Sequence, residues 1–514
     1  MTTNNQDLSS YIGNLAAESF PEFSAPKKSD AANFYDIAST NTYVKPIYTE
    51  SSKEDYAFPD GVDLDELTAV PKSTISPVNY TGAAGAISPV VVSNTDFNET
   101  YTPSSVSSII HGIDVAAVRR DFPILREKVD GKDLIWLDNA ATTQKPQSVI
   151  DRISYFYLHE NSNIHRAAHT LAARATDAYE EARSKVAQFL NAPSADNIVF
   201  VRGTTEGINL IASSYGKKYI GKDDEIIVSL LEHHANIVPW QLLCEETGAK
   251  LRVIPVDDSG QIILSEYEKL FNSRTKFVSV TNVSNALGTI TPIQELIAIA
   301  HGHGVRILID GAQSASHIQT DVQALDCDFF VFSGHKIYGP TGIGAIYAKK
   351  EVLEQMRPYQ GGGNMIQDVT FEKTIYQSAP NKFEAGTGNI ADAVGLGAAL
   401  DYVQKIGINN IFAYEHYLLE YGIEVLKQVP GLRFVGNAKN RTSVLSFVID
   451  GYTTEEIGNA LKEEGIAVRA GHHCAQPILR RFGLESAVRP SIAFYNTTDE
   501  LDKLANVLKS FVKR

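Results

Sequence analysis

From Asp114 onward, short apolar runs alternate with helical stretches, and this alternation restricts the fold of the 514-residue chain more than any other property. Runs such as Asn197–Val201, Asp224–Leu230, Lys250–Pro255, Lys276–Thr281, Val305–Asp310 and Phe329–Phe332 read as strands. The last two are almost continuously apolar, as expected of parallel strands buried on both faces. Helical stretches such as Ala172–Leu190 and Val238–Glu245 lie between the runs. Such a pattern predicts an α/β fold with a large, mostly parallel, doubly wound sheet. Beyond about residue 400 the pattern shifts. Strands around Thr442–Ile449 and Ile492–Tyr495 interleave with helices at Thr454–Glu464 and Asp499–Lys513, predicting a smaller α+β domain. The expected division is 113–400 for the large domain with an N-terminal arm, and 401–514 for the small one.

Residues 1–112 have a different texture. They hold eight of the 20 prolines, 14 Asp/Glu, five Lys and no Arg, so −9 of the chain's net −15 falls there. No period persists, and a structureless loop of that length inside a compact domain is implausible. The segment is expected to be a disordered extension. Its aromatic or aliphatic islands, Asn33–Ile37, Tyr43–Tyr48 and Ile87–Val92, suit docking, or else a loosely constrained tail. Net negative charge argues against a nucleic-acid surface. Three cysteines form no disulfide framework, which fits a reducing cytoplasm. The N-terminus lacks the basic and apolar regions of a signal peptide. No apolar run approaches the ~18 residues of a membrane span.

The chemistry-bearing residues cluster at strand ends. Asp310 closes its strand at the carboxyl edge, where open α/β sheets place their ligands. Lys336, in Ser333-Gly334-His335-Lys336, follows the next strand. A lysine and an aspartate on consecutive strand ends are what a pyridoxal phosphate site needs: one anchors the aldehyde, the other keeps the pyridinium charged. A helix N-cap role for Asp310 and an ordinary surface role for Lys336 are the alternatives. Ser333 and His335 can hold a phosphate, and Gln313 can reach the ring hydroxyl. Gly203-Thr204-Thr205-Glu206-Gly207 opens a helix after a strand, another phosphate cradle to which Thr205 adds a hydroxyl; a plain Thr N-cap is the alternative. One imidazole of Glu232-His233-His234 can stack on a ring and exchange protons near neutral pH. A metal there is disfavoured because adjacent side chains on a strand point apart. Asn285 lies just past another strand, placed to donate to the ring oxygen. In Arg469-Ala470-Gly471-His472-His473-Cys474-Ala475, the positive surroundings of Cys474 favour a thiolate nucleophile. Cys244 and Cys327 read as packing residues. Arg489 can pair bidentately with a substrate carboxylate.

From about Ile113 to the end, these motifs together with Leu137-Asp138-Asn139-Ala140-Ala141-Thr142-Thr143-Gln144-Lys145-Pro146 closely resemble the group II, SufS-type cysteine desulfurases of the class V aminotransferase fold, a PLP-dependent fold type I. The resemblance implies conversion of L-cysteine to L-alanine with a persulfide on Cys474. It implies that Lys336 carries the cofactor and moves the Cα proton, that His233 stacks on the ring, and that Asp310 meets its nitrogen. Gln313 and Asn285 would contact its oxygen, and Thr205, Ser333 and His335 its phosphate. Thr387 and Arg166 would reach the site from the partner of a homodimer, and Arg489 would hold the carboxylate. Sulfur would pass to a SufE- or SufU-like acceptor, for iron–sulfur cluster assembly or sulfur storage. The long extension is similar in layout to cysteine desulfurases that are cargo of encapsulin shells, which implies a cytoplasmic enzyme inside a nanocompartment. Selenocysteine lyase and a non-catalytic shell cargo or sulfur carrier are the rival readings.

Overall fold

The computed structural model describes residues 109–164 and 169–512. The expected disordered extension and its docking islands, and Arg166, lie outside the described residues. Ile109–Ile110 pairs antiparallel with Ile113–Asp114, so the described chain begins with a small hairpin.

Seven strands form the central sheet: β1 (Ile198–Val201), β2 (Glu225–Ser229), β3 (Lys250–Ile254), β4 (Thr275–Thr281), β5 (Arg306–Asp310), β6 (Phe329–Ser333) and β7 (Gly344–Ala348), in the order β1-β7-β6-β5-β4-β2-β3. All neighbours are parallel except β7, which runs antiparallel to both β6 and β1. The predicted α/β architecture is therefore present, as a mixed rather than uniformly parallel sheet. The odd strand, Gly344–Ala348, is not among the expected ones; it is a short run that opens on a glycine and is buried on both faces, and burial on both faces leaves no alternation to mark an antiparallel strand.

Register aligns the strand ends at one edge. Asp310 lies opposite Thr281 and Val331, and Ser333 lies opposite Gly344, which in turn pairs with Val201. A Cβ on Gly344 would stand 2.4 Å from the Phe332 carbonyl oxygen and 2.7 Å from Gly203 Cα. Only glycine permits that crossing beneath the strand ends. Around the sheet pack helices including α1 (Thr170–Phe189), α2 (Thr204–Ile211) and α3 (Ile390–Ile406), after which α4 (Ile408–Leu426) leads to the C-terminal region.

A second, antiparallel sheet has the order β8-β9-β11-β10, from β8 (Leu432–Phe434), β9 (Phe447–Ile449), β10 (Arg469–Gly471) and β11 (Ala487–Arg489). Helices α5 (Thr454–Glu463) and α6 (Thr498–Val512) accompany it. A capping box starts α5: the Thr453 hydroxyl and Glu456 carboxylate satisfy each other's backbone N–H groups, a reciprocal arrangement readable in the sequence. The strand expected at Ile492–Tyr495 is instead a buried turn. Asn496 N–H donates to the Ala493 carbonyl and Asn496 Oδ1 accepts from Ala493 N–H, so the chain bends where the apolar pattern suggested extension. The beginning of the described chain joins this region. Ile135–Trp136 pairs parallel with Ile466–Ala467, Arg119 forms an ion pair with Glu500 at 2.8 Å, and the Phe122 ring lies 4.7 Å from that of Tyr495.

Candidate active site

A cavity of about 200 Å³ opens at the carboxyl edge of the sheet. Lys336, Asp310, His233, Asn285, Thr205, Ser333, His335, Cys474 and Arg489 all line it. Residues on three strands of the central sheet (Thr281, Asp310 and Ser333), the loops beyond strand ends, one helix start and the second sheet thus converge, although their sequence positions span most of the described chain.

On the sheet side, burial dominates. It pushes the Lys336 ammonium down to about 8, partly opposed by Asp310. The same burial raises the Asp310 carboxyl, against the pull of the Ala312 N–H at 2.9 Å and of Lys336. An aspartate so enclosed favours a cationic neighbour, since an opposite charge at contact favours ionisation. His335 is driven down to about 4 by burial, with Lys336 and Lys145 adding to the effect. His233 falls to about 3 for the same main reason. Its Nδ1 accepts the Ala235 N–H at 3.0 Å, leaving the ring proton on Nε2. With that shift the His233 imidazole is neutral near pH 7, a state suited to stacking.

At the start of α2, Gly203 adopts φ +151°, a conformation favouring glycine. Thr204 N–H donates to Ser333 Oγ at 2.9 Å, and the Ser333 hydroxyl donates to Thr204 Oγ1 at 3.0 Å. β6 and the helix N-terminus are thereby fastened beside one another. Free N–H groups at a helix start and these hydroxyls make an anion cradle.

On the other side stands a charge relay of arginines. Asp138 accepts from Arg489 Nη2 at 3.0 Å and pairs with Arg469 Nη2 at 3.2 Å. Arg489 Nη1 donates to the Asn285 carbonyl at 3.0 Å, while its Nε and Asn285 Oδ1 are buried without partners. Asn285 Nδ2 is given to the His473 carbonyl at 2.7 Å, so one of its two amide protons is already engaged. Cys474 is half-buried and lies within electrostatic range of both Lys336 and Arg489. Its positive surroundings come from the arginines and not from His473, which burial holds down at about 3.

Two expected residues lie elsewhere. Gln313 does not line the cavity; its Nε2 donates to the Ala140 carbonyl at 2.6 Å, bracing the segment that carries Ala140 and Ala141 into the cavity wall. Thr387 lines a separate cavity of about 520 Å³ with Arg202 and Glu206, and its hydroxyl reaches Asn163 Oδ1 at 3.4 Å. Asp138 has no role assigned from sequence beyond its place in the Leu137–Pro146 motif, because its arginine partners lie more than 300 residues away. The available signal was its place after a short apolar run, the same cue that marked Asp310. Glu232, fully buried and pushed up to about 8 by burial, was also passed over. It accepts from Asn236 Nδ2 at 2.6 Å and Thr281 N–H at 3.0 Å, tying the His233 turn to β4.

Lysine and aspartate on neighbouring strand ends, above an anion cradle, define a pyridoxal-phosphate type of site. The chain belongs to the class V aminotransferase family, whose model, described as Aminotransferase class-V, matches residues 135–504. It is 66% identical over 398 residues to a cysteine desulfurase of Synechococcus elongatus, covering 77% of this chain and 64% of that protein. The chain thus spans just under two thirds of that relative's length. It is 56% identical over 454 residues to "Probable cysteine desulfurase 1" of Mycobacterium leprae, covering 88% of this chain and 73% of that protein. Since residues from 113 onward number only 402, an alignment covering 88% of the chain reaches into the first 112. The crystal structure of the Escherichia coli cysteine desulfurase CsdA, in an S-sulfonic acid form, is similar with a TM-score of 0.73 and 40% identity, over 78% of this chain and 98% of that one. Pyridoxal 5′-phosphate is the cofactor of this family, and the cavity suits it. A carboxyl raised by burial, an unpartnered Asn285 Oδ1 and the helix-start cradle match a ring nitrogen, a ring substituent and a phosphate.

Proposed function

We propose that this chain is a cysteine desulfurase of the SufS-like group II type, which converts L-cysteine to L-alanine and carries the sulfur as a persulfide on Cys474. The observation supporting this most strongly is that Lys336, Asp310 and Cys474 line one cavity. Lys336 would hold the cofactor, Asp310 would face its ring nitrogen, and His233 would lie over the ring. Thr205, Ser333 and His335 would receive the phosphate. Asn285, and Gln313 through the Ala140 segment, would define the oxygen side.

Pyridoxal phosphate, when bound, supplies the electron sink that acidifies the substrate Cα proton. Arg489 orients the substrate carboxylate with its unpartnered Nε, Asp138 holding the rest of the guanidinium in place. Lys336 Nζ, softened to about 8 by burial, takes the Cα proton at neutral pH, as a general base with a pKa near the working pH does best. Cys474 Sγ then attacks the substrate sulfur. The S–S bond forms as the substrate C–S bond breaks; the departing electron pair stays on the carbon fragment, which takes up protons and leaves as alanine. An acceptor thiol from a SufE- or SufU-like protein would then take the outer sulfur, feeding iron–sulfur cluster assembly or sulfur storage.

A homodimer fits the position of Thr387 in its separate cavity: the partner's copy would complete the phosphate site, and Arg166 would approach from the same direction. The extension would dock the enzyme to an encapsulin shell through its islands; deleting residues 1–110 should leave turnover intact and abolish shell association. Retained association would end the cargo reading. Selenocysteine lyase remains the rival reaction, and comparing alanine release from the two amino acids separates them. A purely non-catalytic cargo or carrier is disfavoured by the convergence of all three reactive groups. The central test is alanine and persulfide formation by purified protein with L-cysteine; neither product would sink the assignment.

A further inference from the structure

The chemistry above makes no use of His472 and His234, which hold the Cys474 loop: the first engages the Cys474 backbone through its imidazole, the second through its own backbone N–H. His473 and Cys474 both adopt φ +53°. Consecutive left-handed residues bearing a Cβ are strained, and persist only where their surroundings impose them. The surroundings here are specific. His472 Nδ1 accepts the Cys474 N–H at 3.0 Å, and the His234 N–H donates to the Cys474 carbonyl at 2.8 Å. His234 Nε2 in turn accepts the Gln476 N–H at 3.4 Å, at the start of the helix Gln476–Arg481 that follows the loop. The two rings stack with centroids 5.8 Å apart and planes 25° from parallel. Both polar backbone atoms of Cys474 are therefore engaged. One partner is the immediate neighbour of His233, whose ring faces the cavity.

We propose that His234 and His472 are positioning residues: they form a latch that holds the Cys474 loop in its left-handed conformation, with the sulfur turned into the cavity. The proposal rests on Cys474 being the nucleophile. His233 and His234 divide the work of one turn, the first serving the cavity and the second the loop. The latch depends on an unprotonated Nδ1 on His472 and an unprotonated Nε2 on His234, so its tautomers are opposite. That difference supplies conservative variants. Asparagine places an acceptor oxygen where Nδ1 stands, and glutamine places one where Nε2 stands.

The test uses full-length holoenzyme and two readouts: alkylation of Cys474 by iodoacetamide without substrate, followed by mass spectrometry, and kcat and KM for alanine formation from L-cysteine. Opening the latch swings the sulfur towards solvent, so alkylation should accelerate while kcat falls. A displaced reacting atom typically costs about 10–100-fold in rate. His472→Gln and His234→Asn should show both changes with KM and the visible cofactor absorbance retained, while His472→Asn and His234→Gln stay close to the parent protein. Equal behaviour of Asn and Gln at either position overturns the latch, as does alkylation that is unchanged or slowed. Loss of cofactor absorbance in His472→Gln and His234→Asn also overturns it, in favour of a general folding role. Cys474→Ser separates the two layers: if it retains turnover the nucleophile reading fails, and if it is inactive while the histidine variants behave like the parent, the latch alone fails.

Discussion

The two walls of the cavity are built on opposite principles. The sheet wall is rigid: β5 and β6 are almost wholly buried, and the turn directly after β6 carries charge that burial suppresses, with Lys336 at about 8 and His335 at about 4. The facing wall is a strained, half-exposed loop after β10, at the edge of the second sheet, held by side-chain contacts. The contrast matches the tasks proposed for each. Proton transfer at a fixed carbon gains from preorganised groups poised between charge states. A sulfur handed to an outside acceptor needs a carrier that is not sealed in the core, and loops positioned by a rigid scaffold supply that.

Experiments can break this division. Lys336→Ala removes the key group of the rigid wall and should cost about ten-thousand-fold in turnover, with the visible absorbance of the lysine-bound cofactor lost in the same spectrum. Persisting absorbance would mean that another group anchors the cofactor. Cys474→Ser removes the loop's contribution alone: absorbance and substrate-induced spectral change should remain while persulfide formation disappears. Next in size is Arg489→Lys, which keeps the charge but cannot reproduce the planar fork shared with Asp138 and Asn285. KM for cysteine should rise about 10–100-fold, the worth of a charge-assisted hydrogen bond, with kcat less affected; an unchanged KM would remove Arg489 from substrate binding. The smallest effect sharpens the burial argument. In the unfolded chain a lysine titrates at about 10.4, whereas folding lowers Lys336 to about 8. The folded, cofactor-free protein thus carries the full penalty of the buried ammonium below pH 8 and is relieved of it as pH climbs towards 10.4. Lys336→Met should be more stable than the parent by up to about 3 kcal/mol at pH 7, with the gap closing above pH 10, as denaturant midpoints would show. A pH-independent gap would refute suppressed charge as its cause.

The same contrast explains what could be read in advance. Asp310, Ser333 and Lys336 announced themselves because each follows a run of buried residues long enough to define a strand end. Thr205 was visible from a glycine-flanked strand-to-helix junction. β7 was hidden altogether, because it is a five-residue run opening on a glycine and lacks the polar–apolar alternation of a half-exposed antiparallel strand. The role of Asp138 was hidden because its partners, Arg469 and Arg489, lie more than three hundred residues away. Gln313 shows a further limit: its type and place suited a ring contact, yet the backbone carbonyl of Ala140 lay within reach and claimed its amide. Side-chain hydrogen bonds to distant backbone depend on tertiary neighbours that local pattern does not encode.

The Asp138–Arg489 contact joins residues 351 positions apart. A chain emerging from the ribosome amino end first can build β1 to β7, and with them the cofactor platform, long before residue 489 exists. The Asp138–Arg489 pair must wait for nearly the whole polypeptide, since closing so long a loop comes only after its far end is made. Order of birth therefore sets an order of assembly: the strand ends of the central sheet can stand in place before the arginine that faces them across the cavity has been made.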